Sequence, residues 1–489
     1  MTRQMSRTFL RRSAASVAPA FAVSLALTGC AAVGPNFKAP ATSATPGYAM
    51  AGDAAPGAGI AFGPPAAGPW WQGFGPPALD QVMQQALTGS PTIAEADATL
   101  DQARAALASA RGGLYPEVSV NTGAQRERIN LASFGFNAAA LPGFSNNPEF
   151  SLYQVGGAVA FPLDIFGGER RKVESAKARA EAYARKGDAA ALALTGQVAT
   201  AAVQIAGVKA EIAAVQAMIA DDRRTDDLVR KAEAAGGEAE GARVSAATQL
   251  ARDEALLPPL RQALVVARHQ LALLVGKAPA DYSPPDFTLA DFKPGQAPVA
   301  MPSELIHLRP DIQQAEADLH VATAEVGVAT AALYPSINLT ASLTQSSLQP
   351  GQIFDFPSTA YSIGAGLTAP IFDGGRRRAD REAARAAARA SLARYEQTVL
   401  TAFNQVADRL QALAHDDEAL AAEIKSEKAA LANLQLARAA YAAGGTGLLP
   451  LVDANRSAGD ARRLRVSIET RRALDTVQLI VASGARWKG

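Results

Sequence analysis

This 489-residue chain has one cysteine, four histidines, almost no net charge and no long apolar run. Each scarcity excludes something. With Cys30 alone, no disulfide can form within the chain. His269, His307, His320 and His415 fall in separate helical stretches without ligand spacing, and no GxSxG, HExxH or phosphate-loop string occurs. No enzyme, metal site or cofactor is therefore expected, and the histidines read as surface or helix-seam residues. The chain carries 47 basic and 46 acidic side chains, so net charge drives binding neither to nucleic acid nor to an anionic membrane as a whole. Partners must be chosen by shape and local patches. No apolar run approaches the roughly 18 residues that a membrane helix needs, so any crossing is made by strands.

What is present is present twice. Residues 90–123 line up without a gap on residues 309–342, at an offset of 219. VGGAVAFPLDIFGGERR at 155–171 answers IGAGLTAPIFDGGRRR at 363–378, and KAEAAGG ending at Gly237 answers AAYAAGG ending at Gly445. Each copy reads as helix, strand, loop, strand, very long helix, sharp turn and helix, so one unit is duplicated.

Four stretches alternate with the period of a strand that has two unlike faces. Val118, Val120, Thr122 and Ala124 share one parity; so do Tyr153, Val155, Gly157, Val159 and Phe161. The second copy repeats this with Ile337, Leu339, Ala341 and Leu343, then with Tyr361, Ile363, Ala365, Leu367, Ala369 and Ile371. Two readings stay open on alternation alone. One is a soluble antiparallel sheet with one wet face. The other is a set of membrane strands, each of roughly ten residues, with Ser119, Asn338, Thr340, Ser342, Ser362, Gly364 and Gly366 toward a wet lumen. In that case four strands cannot close a barrel, because single-chain barrels start at about eight, and the open edges demand strands from other chains.

At the N-terminus, Arg3, Arg7, Arg11 and Arg12 precede an apolar run from Ala14 to Leu27, the pattern of a signal peptide over residues 1–29. The run ends in Leu27-Thr28-Gly29-Cys30, which resembles the bacterial lipobox. That resemblance implies cleavage before Cys30 and lipid on its thiol and amine, and several acyl chains together anchor stably. Residues 30–69, rich in Pro, Gly and Ala, read as a lipidated extended tether.

From Gly168 to about Ala234, and from Gly375 to about Ala443, no proline interrupts a helix-forming composition, and each stretch is about 100 Å long at 1.5 Å per residue. Leu194, Val198, Ala201, Ile205, Val208, Ile212, Val215 and Ile219 step by four and three, as do Leu392, Tyr395, Val399, Ala402 and Val406, which is a coiled-coil seam. Both helices turn sharply and return, through roughly residues 238–276 and 446–485, as hairpins suited to a wall of helices. Gly167, Gly168, Gly374 and Gly375 mark abrupt strand-to-helix junctions. Just beyond the second, Arg376, Arg377, Arg378 and Arg381 suit either a solvated helix face or contact with lipid head groups.

These features together resemble the TolC-like outer-membrane factors, specifically the lipoprotein (NodT and OprM) type. The residues that carry the resemblance are LTGC at 27–30, VGPNFKAP at 33–40, WWQGF at 70–74, LYP at 114–116 and 333–335, RPDI at 309–312, PIFDGGRRR at 370–378 and VDANRS at 452–457. It implies a mostly α fold with a membrane β-barrel: a homotrimer whose twelve strands form the barrel, continued by an α-helical barrel through the periplasm. The expected domains are a first repeat at 70–276, an equatorial linker at 277–308 and a second repeat at 309–486. The implied function is the outer-membrane exit duct of an RND-type tripartite efflux pump, passively conducting small molecules. Its implied partners are a periplasmic adaptor, an inner-membrane RND transporter and outer-membrane lipid. A type I protein-secretion duct is the alternative within the family. A lipid-anchored periplasmic adaptor would show one hairpin and no paired membrane strands.

Carried onto the second hairpin turn, the resemblance places a periplasmic gate at Leu449 and Asp453, four residues apart on one helical face. Pro450 stands where the family often has a second polar or acidic residue. Around a threefold axis these positions give a ring of leucines and a ring of carboxylates, closing by apolar constriction and favouring cations. An ordinary solvated acid and a packed leucine remain the plain alternatives. Gly236, Gly237, Tyr441, Gly444, Gly445, Thr446 and Gly447 are the tip positions offered to the adaptor, and Ser245 stands where the second copy has Asp453.

Overall fold

The structure, a computed structural model, describes residues 32–41, 47–54, 61–63, 68–135, 145–293 and 298–487. The signal peptide and Cys30 lie outside the described residues. In chain order the main elements are β1 (Ala61–Phe62), α1 (Pro77–Gly89), α2 (Pro91–Gly112), β2 (Glu117–Arg128), β3 (Glu149–Leu163), α3 (Gly168–Ala234), α4 (Glu240–Glu254) and α5 (Leu257–Leu274). There follow β4 (Pro298–Val299), α6 (Pro302–Leu308), α7 (Pro310–Ala331), β5 (Ser336–Ser347), β6 (Thr359–Thr368), α8 (Arg376–Ala442) and α9 (Leu448–Ala482). The duplication is visible in this order: α2-β2-β3-α3 is answered by α7-β5-β6-α8.

By compactness the chain divides into two units. The first gathers the described residues within 32–39, 102–181 and 317–392. Its centre is one antiparallel sheet in the order β2-β3-β5-β6. The register pairs Val118 with Val159, Val159 with Ala341 and Ala341 with Ile363. Residues directly opposite share a face, so all four alternating sets seen in the sequence lie on one face. Tyr361, Ile363, Leu367, Val118 and Val120 stand on it largely exposed. The opposite face carries Ser119, Asn121, Gly156, Thr344, Ser342 and Ser362, with a hydrogen bond between the hydroxyls of Ser342 and Ser362 at 2.9 Å. Among the described residues neither β2 nor β6 has a partner on its outer edge. The last strand is shorter than its alternation implies. It ends at Thr368, before Pro370, which has no N–H to give a ladder, so Ala369 and Ile371 leave the strand.

The same unit explains VGPNFKAP. Val33 N–H donates to Phe166 O at 3.0 Å, and the Arg171 side chain, almost wholly buried, reaches the strap from below. Its Nε donates to Val33 O at 3.1 Å, while Nη2 lies 2.8 Å from Asn36 Oδ1, 3.3 Å from Ala32 O and 3.4 Å from Gly34 O. Nη1 pairs with Glu174 at 2.6 Å. Gly34 passes so close to Gly327 that a Cβ on it would sit 2.6 Å from the Gly327 Cα. Phe37 stacks on the His320 ring at 4.3 Å, and His320 Nε2 lies 3.0 Å from Glu174. Burial raises the Glu174 pKa, but the hydrogen bonds from Arg171 and His320 outweigh it and hold the carboxyl below its ordinary value.

The second unit gathers the described residues within 40–101, 182–316 and 393–487. Leu194, Val198, Ala201, Ile205, Val215 and Ile219 of α3 and Tyr395, Val399, Ala402 and Val406 of α8 are buried there, as a seam should be; Val208 and Ile212 are only half-buried, and Leu392, in the first unit, is exposed. One correction to the sequence reading falls in α3. It does hold an 18-residue window apolar enough to cross a membrane by length and composition. More than half of that window is buried in the protein. The WWQGF motif is packing: Trp70 Nε1 donates to Thr195 Oγ1 at 3.3 Å, Trp71 Nε1 to Asp80 at 2.7 Å, and Phe74 packs on Phe292 at 5.5 Å. In RPDI, the Arg309 fork holds both Asp311 oxygens at 3.0 and 2.6 Å and donates to Ala482 O at 2.9 Å. The first hairpin returns as two helices, not one, because Pro258 and Pro259 cannot donate within a continuous helix and instead open α5. Pro450 breaks nothing. It lies in the first turn of α9, where N–H groups have no helical acceptor.

Candidate functional site at the hairpin tips

Both long helices end in the same backbone device. Gly236 and Gly444 take positive φ, 76° and 72°. Gly237 N–H donates back to Ala232 O and Gly445 N–H to Ala440 O, each at 2.9 Å. A left-handed glycine with this back-bond terminates a helix and reverses the chain. Gly447 then caps α9 in extended conformation, and Thr446 is half-buried beside it. The two tips are tied together: the Tyr441 hydroxyl donates to Glu238 Oε1 at 3.2 Å, and Leu448, Val229 and Ala246 share one small apolar cluster against which Tyr441 packs.

Within the first two turns of α9 the side chains divide sharply. Leu448, Leu451, Ala454 and Asn455 are buried, while Leu449, at 70% exposure, and Asp453 are exposed one turn apart. Leu449 is thus not part of this chain's packing. Ser245, the first-copy counterpart of Asp453, is exposed and its hydroxyl donates to Gly241 O at 2.9 Å.

Behind that exposed pair lies a cluster the sequence reading missed. Asn455 Nδ2 donates to Asp222 Oδ1 at 2.6 Å, and Asp222, Asp226, Asp253 and Asn455 are all buried. Asp222 Oδ2, Asp226 Oδ1 and Asn455 Oδ1 have no hydrogen-bond partner. Burial first, then the neighbouring Asp253 carboxyl, push the Asp222 pKa up to about 8. Further along, Asp416 is likewise raised by burial despite its 2.6 Å pair with Arg471. Among the described residues no group of three or more acidic, histidine or cysteine side chains could hold a metal ion.

In the first unit, the junction glycines share the work. Gly167 has φ 79°, and Gly374 and Gly375 have 63° and 87°; Gly168 instead begins α3. An aspartate completes each junction. The Asp164 carboxylate accepts from Glu169 N–H at 3.0 Å and Arg170 N–H at 2.9 Å, and Asp373 accepts from Gly375 N–H at 3.0 Å and Arg377 N–H at 3.1 Å. The Arg377 backbone bond, with the others, holds the Asp373 carboxyl below its ordinary value. The DIFGG and DGG strings were the available signal.

A sheet with one apolar face and, among the described residues, two unpaired edges, followed in each copy by a helix of 67 residues ending in a capped tip, is the architecture suited to an outer-membrane channel subunit. The chain belongs to the outer membrane efflux protein family, whose sequence profile matches residues 82–277 and 301–485. It is 31% identical over 498 residues to the outer membrane protein OprJ of Pseudomonas aeruginosa, covering 96% of each chain. It is 29% identical over 419 residues to the pyoverdine export outer membrane protein OpmQ of the same species, covering 86% of this chain and 87% of that one. Its fold superposes on the solved outer-membrane channel OprN with a TM-score of 0.84 at 28% identity, over 93% of this chain and 99% of the other. The protein is accordingly an efflux channel of the outer membrane.

Proposed function

We propose that three copies of this chain form the passive exit duct of an RND-type tripartite pump, carrying small molecules from a periplasmic adaptor and an inner-membrane RND transporter to the exterior. It performs no catalysis and holds no cofactor. The observation that carries this reading is the sheet: its outward apolar face is continuous over four strands while β2 and β6 lack outer partners among the described residues. Open edges do not persist in lipid, and edge pairing of three copies closes a barrel of twelve strands. Cys30 anchors the mature chain by lipid in the outer membrane. The two repeats, 70–276 and 309–486, joined by the linker 277–308, contribute equivalent staves. Leu449 and Asp453, exposed side by side on α9, line the entrance, and the tips at Gly236, Gly237 and Gly444–Gly447 receive the adaptor. A photo-crosslinking residue in place of Thr446 tests this in cells. Crosslinks to an adaptor hairpin, with dye efflux restored in a deletion strain, are expected; efflux without any adaptor crosslink, or secretion of a protein substrate in place of dye efflux, overturns the assignment.

A further inference from the structure

The duplication allows one junction to be judged against the other. At the first, Ile165 is 39% exposed but its neighbours find partners within the chain. Phe166 stacks on Tyr334 at 4.6 Å, Arg170 pairs with Asp164 at 3.1 Å, Arg171 is buried against the strap, and Lys172 pairs with Glu169 at 2.7 Å. At the second, Arg377 is held by Asp373 and by the Ala332 carbonyl, but its neighbours are left open. Ile371 is 91% and Phe372 92% exposed, and Arg378 makes no ion pair or hydrogen bond with the described residues. Arg376 has only an exposed pair with Asp380 at 3.6 Å, a kind worth little. Arg381 holds Glu382 at 3.1 Å but leaves its buried Nε without a partner.

We propose that the junction from Ile371 to Arg381 is a docking site for the phosphate head groups of anionic phospholipids in the inner leaflet of the outer membrane. This rests on the outer-membrane reading above. The apolar pair follows the end of β6 by three residues, so Ile371 and Phe372 enter the lipid interface where the strand leaves it, the position at which aromatic side chains are stabilised between hydrocarbon and water. Depth then selects the cations. A head-group layer is about 5–7 Å thick on each side of the hydrocarbon, and α8 rises about 1.5 Å per residue from Arg376. Arg376 and Arg378 fall inside that layer and Arg381 at its lower edge, whereas Arg385 and Arg389 lie about 14–20 Å down the helix and are out of reach. A guanidinium offers a phosphate two parallel donors, which is what Arg378 has free. A lipid phosphate satisfies both halves of the open junction at once, the cations by its charge and the apolar pair by its acyl chains. The other candidate occupant is a neighbouring copy of the chain, and the test separates the two.

The experiment reconstitutes the full-length protein in phosphatidylcholine bilayers and measures the motionally restricted fraction of spin-labelled phosphatidylglycerol against spin-labelled phosphatidylcholine. The wild type is expected to prefer phosphatidylglycerol severalfold, with the preference falling at 0.5 M salt, since each arginine near an anionic surface contributes roughly fivefold. Arg376→Gln with Arg378→Gln should abolish the preference and Lys172→Gln should leave it intact. Channel conductance of the same samples reports whether the duct itself is formed. A conducting protein with no phosphatidylglycerol preference, or with a preference unchanged by both salt and the double substitution, overturns the proposal while leaving the duct standing. Loss of trimer with lipid preference retained assigns the junction to the neighbouring copy and overturns it equally. The salt series on the wild type decides the matter even where the double variant fails to fold.

Discussion

Replacing Arg171 by methionine keeps most of the side chain's volume and removes its guanidinium from a buried cradle. Five oxygens lose a donor: three strap carbonyls, the Asn36 amide oxygen and the Glu174 carboxylate. Charge-assisted bonds are worth about 1.5–3 kcal/mol each, but three of these share one nitrogen at 2.8–3.4 Å and cannot all be at full strength. Removing one partner of a buried pair costs about 3–5 kcal/mol, and that is the better guide here. The cost falls on the docking of residues 32–39, which keep the Val33 bond to Phe166, the Gly34 contact, the packing of Ala32 on Gly167 and the Phe37 stack. Opening of the strap should rise by roughly a hundredfold to a few thousandfold at about 1.4 kcal/mol per tenfold. Hydrogen exchange followed by mass spectrometry on the detergent-purified protein reads this directly over the strap peptide, with the sheet peptides as internal reference. Arg171→Lys should recover little, because an ammonium cannot serve several carbonyls from a planar fork. Strap exchange within about twofold of wild type would refute the assignment of Arg171 as the clamp.

The other expectations are simpler. Asp222 holds in the folded protein a proton that the unfolded chain releases near the ordinary aspartate value of 3.8, so stability is full below that value and is lost as pH rises through about 8; the melting temperature should fall between pH 5 and 8, and Asp222→Asn should flatten that fall, a steeper slope in the variant contradicting it. Tyr441→Phe removes the single polar tie to Glu238 and should destabilise the tip by about 1 kcal/mol, seen as faster exchange at residues 233–240 with no change in the sheet. Cys30→Ser with the signal peptide retained should eliminate acyl labelling and slow delivery to the outer membrane; unchanged labelling would show that the acceptor lies elsewhere.

How much was legible follows from range. Strand parity is a local, period-two signal, and every one of the four sets landed on the same face once the register was known. The long helices were equally readable, since an unbroken run of helix formers between glycines leaves little choice. The strand end at Thr368 was overshot because alternation continues in letters through Ala369 and Ile371 after Pro370 has ended the ladder. What escaped entirely were contacts between distant positions. Asn455 meets Asp222 across 233 residues and Arg171 meets Val33 across 138, and no local pattern announces either. The seam residues of α3 also carry a composition that hydropathy alone cannot separate from a membrane helix; only their packing does so.

The central claim is that this chain builds a duct whose entrance is set by Leu449 and Asp453, and single-channel recording in planar bilayers tests it most directly. The account expects purified wild type to insert and give small, cation-preferring steps, Leu449→Ser to raise the resting conductance by replacing an apolar constriction with a hydratable one, and Asp453→Ala to lose the cation preference while still assembling. Protein that inserts but conducts in none of the three forms, or three forms indistinguishable in conductance and selectivity, would contradict it.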